Sequence, residues 1–131
     1  VQAMWDKVVF LATLAGSTCL MRASVGDIMH TLAGEAFVRA LFAEGVAIAA
    51  ASGQALGEAQ QAAYLGQLTD PASGLMASML RDVERGGPTE AEHILGDLVA
   101  RAQAKGVAAP NLALAYSHLQ AYDRRRLAAS A

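Results

Sequence analysis

Cysteine appears once in the 131 residues, at Cys19, so no internal disulfide can form and the chain suits a reducing, cytoplasmic compartment. Lysine appears twice, and ten Lys and Arg against twelve Asp and Glu leave a net charge of −2. That balance offers no basic surplus to a polyphosphate backbone, which argues against nucleic acid as a partner. Nowhere do apolar and polar residues alternate at the strand period over a useful length, so no βα unit is expected. Neither GxGxxG behind a strand nor GxxxxGK[ST] occurs, and the chain therefore carries no phosphate cradle of its own. His30, His93 and His118 stand alone, without metal-ligand spacing, and no metal is expected. The longest apolar stretch, 8–21, falls short of the ~20 residues that cross a bilayer, so no membrane partner is expected either. The chain opens at Val1 with no signal-like basic cluster, which reads as a cut in a longer protein.

What is abundant favours helix. Thirty alanines and sixteen leucines stand against nine valines and three isoleucines, in a chain that is 54% hydrophobic and 17% charged. Residues 2–21 read as one mostly buried helix, loosened around Gly16–Ser17. Ser24 and Asp27 resemble a capping box opening a helix over 25–33, stopped by Gly34. A third helix spans 35–52 with Phe37, Ala40, Leu41, Val46 and Ile48 on its apolar face, closed by Gly53. Residues 57–68 carry a weaker helical pattern. Asp70-Pro71 reads as an N-cap with proline at the first helical position, opening a helix that runs to about Arg85. Thr89 and Glu92 form a second capping box ahead of Ile94, Leu95, Leu98, Val99 and Ala102, and Gly106 ends that helix. A last helix covers about 111–127, with 128–131 frayed. The expectation is one all-α domain, 1–131, of six to seven helices.

A few residues could carry chemistry. Lys7 leads directly into an apolar helix. It either snorkels, with its stem packed and its ammonium in water, or is partly desolvated and able to donate a proton nearer neutrality. Ser78 and Asp82, four apart, share a helix face. Glu90 lies in a first helical turn, where a carboxylate favours the positive end of the dipole by ~0.3–1 kcal/mol. Gly96, inside a helix, costs ~1 kcal/mol against alanine and needs a packing reason. Cys19 has no neighbouring base and reads as a buried structural thiol.

Trp5-Asp6-Lys7 ahead of an apolar helix resembles the W-x-K signature of ketopantoate reductases. Ser78-Met79-x-x-Asp82, then Thr89-Glu90 and Gly96, resembles their S-S-M-x-x-D…T-E-I-x-x-x-x-G segment. Gly26, Glu44, Gly53 and Pro110 fall where that pattern has the same residues, so the match covers nearly the whole chain. The resemblance implies the helical C-terminal domain of these enzymes, a fold similar to that of 6-phosphogluconate dehydrogenase-like proteins. It implies NADPH held by an N-terminal Rossmann domain not present in this chain, a small 2-keto acid substrate, and a homodimer. It further implies that Lys7 is the general acid for the keto oxygen, that Glu90 orients the substrate hydroxyl and the lysine, and that Ser78 holds the substrate's polar groups, its carboxylate among them.

The family places asparagines four and eight residues after the lysine and one just before the glycine matching Gly26. Here those positions are Leu11, Ala15 and Val25, and Asn111 is the chain's only asparagine. The three apolar residues are expected to line the substrate wall and to bias it toward a 2-keto acid less hydroxylated than ketopantoate. The alternative is a non-catalytic helical dimerisation module. On either reading the fragment alone is inactive.

Overall fold

The computed structural model describes residues 1–130, all of whose regular structure is helical: α1 Gln2–Met21, α2 Val25–Met29, α3 Gly34–Ala51, α4 Glu58–Leu68, α5 Ser78–Glu84, a π turn Glu92–Gly96, α6 Asp97–Lys105 and α7 Pro110–Ser130. The other helices pack around α1, which is the axis of the fold; α6 meets it through Arg101, whose guanidinium lies 5.0 Å from the centre of the Trp5 ring. Ten of its residues are buried, from Trp5 and Val9 through the unbroken run 12–19. A helix apolar on every face is what a central position requires. Its three buried hydroxyls cost little, because each donates back along the helix: Thr13 to the Val9 carbonyl at 2.9 Å, Ser17 to Thr13 at 2.7 Å and Thr18 to Leu14 at 2.7 Å.

Four sequence expectations change. The helix is not loosened at Gly16; a Cβ there would sit 3.1 Å from Leu41 and 3.3 Å from Ala115, so the glycine lets α3 and α7 approach. At 20 residues α1 is also long and apolar enough to cross a membrane, although 56% of its most apolar 18-residue window is buried inside the protein, as the core helix of a bundle would be. The second helix stops at Met29, because the Thr31 hydroxyl and backbone N–H both donate to the Ile28 carbonyl and turn the chain. The third change matters most for function. Residues 70–77 are not helical. The Asp70 carboxylate accepts from the Ala72 N–H at 2.9 Å, a local turn rather than a helix cap. Beyond it the chain runs extended past the start of α2. Finally α7 continues through 128–130, where fraying was expected, and Ala131 lies outside the described residues.

Candidate functional site

A cavity of about 160 Å³ opens between α1, the segment 76–79 and the residues around Glu90. Leu11, Leu14 and Ala15 form its floor, Met76, Ala77, Ser78, Met79 and Asp82 one wall, and Glu90 and Ile94 the other. The structure thus brings together five residues singled out in the sequence, Leu11, Ala15, Ser78, Asp82 and Glu90, from three separate parts of the chain.

Lys7 and Val25 stand differently. Lys7 is exposed and does not line the cavity, but it lies on α1 four residues before Leu11 and eight before Ala15. The three form one stripe of the helix, with the lysine a turn beyond the cavity. The phase of α1 decides its exposure: Trp5 and Val9 take the core positions on either side. Val25, expected on the wall, is 1% exposed and faces the core. Its contribution is its backbone, whose N–H donates to the Leu75 carbonyl at 2.9 Å.

That bond belongs to a set which fixes the serine wall. Gly26 N–H donates to the Ser73 carbonyl at 2.8 Å, and the Thr18 hydroxyl accepts the Ala77 N–H at 3.2 Å, one residue ahead of Ser78. Gly26 is required here: an added Cβ would lie 2.5 Å from the Ser73 carbonyl oxygen and 2.9 Å from that of Pro71. The segment 70–77 is therefore held as extended chain by α1 and α2, and it delivers Ser78 to the mouth of α5.

On the opposite wall, the Thr89 hydroxyl accepts the Ala91 N–H at 3.2 Å, a local turn in place of the expected capping box, whose bond would go to the Glu92 N–H. Nor does Glu92 supply the other half. Its carboxylate accepts a hydrogen bond from the Tyr116 hydroxyl on α7, and the pair lies over Gly96, where a Cβ would meet Glu92 Oε2 at 2.9 Å and the Tyr116 oxygen at 3.1 Å. This is the packing reason the glycine called for. The backbone between Glu92 and Gly96 is a π turn; such turns are frequent at functional sites.

The sequence had given no role to Leu14, Met76 or Ile94 in the cavity. Met76 lies in the segment misread as helix. Leu14 and Ile94 had the ordinary pattern of core residues, and nothing in that pattern separates a core contact from a cavity wall. Asp82 carried the only local signal, its spacing of four from Ser78. Among the described residues no His, Cys, Asp and Glu cluster could hold a metal, and no strand and phosphate loop are present to hold a dinucleotide.

The comparisons with known proteins identify the family of the fold. The family model described as the C-terminal part of ketopantoate reductase PanE/ApbA matches residues 1–123. The chain is 32% identical over 123 residues to the uncharacterized oxidoreductase YkpB of Bacillus subtilis (strain 168), covering 94% of this chain and 41% of that protein. A dimeric ketopantoate reductase from Staphylococcus aureus superposes with a TM-score of 0.85 at 28% identity, over 95% of this chain and 44% of that one. A 2-dehydropantoate 2-reductase from Methylococcus capsulatus gives 0.81 at 31% identity, over 95% and 40%. The chain spans less than half the length of these relatives, and the part it matches is the helical one. It belongs to the ketopantoate reductase family, as a form of that family's C-terminal domain.

Proposed function

We propose that this chain is the substrate-binding half of an NADPH-dependent reductase that converts a small 2-keto acid to a 2-hydroxy acid. The observation that carries the reading is the meeting of Ser78 and Glu90 across a cavity floored by Leu11 and Ala15, with Lys7 one turn along the same stripe of α1. Because the described residues form no dinucleotide cradle, the cofactor would be held by another part of the protein. The chain's own residues then divide the remaining work. Reduction of a keto group builds alkoxide charge on its oxygen, and the Lys7 ammonium, on a flexible side chain rooted one turn beyond the cavity, would neutralise that charge by giving up a proton. Ser78 would hydrogen-bond the substrate carboxylate. Glu90 would orient the lysine and accept a hydrogen bond from the 2-hydroxyl that the reduction creates.

The apolar lining sets the substrate class. Leu11, Leu14, Ala15, Met76, Met79 and Ile94 offer no hydrogen-bonding side chain to a hydroxylated substrate. A 2-keto acid with an apolar side chain fits such a wall, and a polyhydroxy acid would leave its hydroxyls unpaired. The same loss of amides is what favours the second reading, a non-catalytic dimerisation module. In both readings the domain associates with a second copy, in the cytoplasm, and exposed Leu114 and Leu127 on α7 supply apolar surface for it.

NADPH calorimetry on these 131 residues tests the division of labour: no binding is expected, and micromolar binding would overturn it. Activity of the whole reductase with a panel of 2-keto acids separates enzyme from module.

A further inference from the structure

A second cavity, of about 370 Å³, shares no residue with the first and is lined by Arg22, Gly86, Tyr122, Arg125, Arg126 and Ala129. Three of the chain's ten cationic residues line it and, among the described residues, no carboxylate does, in a protein whose net charge is −2. Tyr122, Arg125, Arg126 and Ala129 fall at i, i+3, i+4 and i+7, one face of the last turns of α7. Arg126 is engaged by Asp123 at 2.7 Å. Among the described residues neither Arg22 nor Arg125 has a carboxylate within ion-pair distance. Cys19 and His118 both feel the charge of Arg22, and burial favours the neutral form of both; the Asp82 carboxylate acts on the same thiol from beyond ion-pair distance of Arg22.

Arginine near a helix C-terminus often needs no more than the helix dipole to explain it. Arg22 needs more. It sits at φ 55°, ψ 44°, whereas the other described residues at positive φ, Gly53, Gly86 and Gly106, are all glycine. Glycine would make this turn without the penalty a Cβ brings. A cation at exposed, helical Met21 would meet the dipole equally well. The turn instead carries a strained residue that aims an unpaired guanidinium into a cavity.

We propose that this cavity is an oxyanion site that takes a phosphoryl group between Arg22 and Arg125. Two planar forks carried by separate elements, one at the C-cap of α1 and one on the last turns of α7, suit a tetrahedral group with oxygens in several directions; a single carboxylate would be saturated by one of them. Tyr122 shapes the wall, since its hydroxyl already donates to the Gly87 carbonyl at 2.6 Å. The site does not depend on the reductase reading.

Titration calorimetry of this chain with inorganic pyrophosphate and with inorganic phosphate tests it. Saturable binding that weakens with added salt is expected, with a loss of about tenfold or more in both Arg22→Gly and Arg125→Ala. Arg22→Gly also relieves the backbone, so its unfolding midpoint without anion should equal or exceed the parent's. Arg125→Ala, on an exposed helix face, keeps the fold in any case. Absence of saturable binding at millimolar probe, or binding that both variants leave unchanged, would overturn the proposal.

Discussion

Glu44, on α3, grips the start of α7 through Asn111: its Oε2 accepts the Asn111 backbone N–H at 3.2 Å and side-chain Nδ2 at 2.8 Å, while Oε1 accepts the Leu112 N–H at 2.8 Å. Pro110 begins the helix, and the carboxylate satisfies two of the N–H groups its first turn leaves open. The pair is therefore a cap supplied across the core.

Removing it should be costly for an exposed-looking change. Glu44→Ala should lower unfolding free energy by about 2–3 kcal/mol, as charged hydrogen bonds of this type contribute. Glu44→Gln, which keeps one acceptor, should cost less. Urea unfolding with an unchanged slope checks both.

Gly26→Ala should destabilise by about 1–3 kcal/mol, because the methyl collides with backbone rather than with a mobile side-chain end. The segment 70–77 must move, and Ser78 with it. Faster hydrogen exchange at the Gly26 and Ala77 amides is the expected mark; unaltered exchange would mean the segment is not held there.

Most of the helices were legible because their start and stop signals are local: Ser24 caps the start of α2 through the Asp27 N–H at 3.2 Å, and Gly106 ends α6 in the left-handed region. Asp70-Pro71 misled because a helix start and a turn use the same residues; what decides between them is Gly26 and Val25, more than forty positions away, taking the carbonyls of Ser73 and Leu75. The site was half legible. Ser78 and Glu90 carry short motifs, and the structure brings them to one cavity. Val25 was misassigned since a single residue type does not say whether its side chain or its amide is used. Glu92 was misassigned because its partner, Tyr116, lies on another helix.

Gly96 and Tyr116 should behave as a coupled pair. Gly96→Ala gains ~1 kcal/mol of helix propensity but pushes the Glu92–Tyr116 hydrogen bond apart. In a double-mutant cycle with Tyr116→Phe, the alanine should be better tolerated once the hydroxyl is gone. The Glu92 carboxylate also holds the Tyr116 hydroxyl above its ordinary 10.0, so Glu92→Gln should bring the phenol's absorbance titration down.

Burial pushes the Cys19 thiol from 9.0 up to about 12. The folded value is above the unfolded one, so the thiol's contribution to stability is complete below pH 9.0 and lost as pH rises toward about 12. His118 goes the other way: burial, then the charge of Arg22, lowers it from 6.5, so its contribution is complete above that value and lost as pH falls through the folded one. Native Cys19 should resist alkylation at pH 8, roughly a unit below its unfolded value, and react on unfolding; rapid native labelling would contradict its burial.

The central claim rests on Lys7 and its stripe of α1. The direct measurement is NADPH oxidation by the protein that carries this chain together with a dinucleotide-binding half, assayed with an apolar 2-keto acid and with ketopantoate. The apolar acid should be reduced with the higher kcat/KM, and Lys7→Ala should lower kcat about a hundredfold or more, in line with the loss of a general acid. No NADPH oxidation with any 2-keto acid, or full activity in Lys7→Ala, would contradict the assignment.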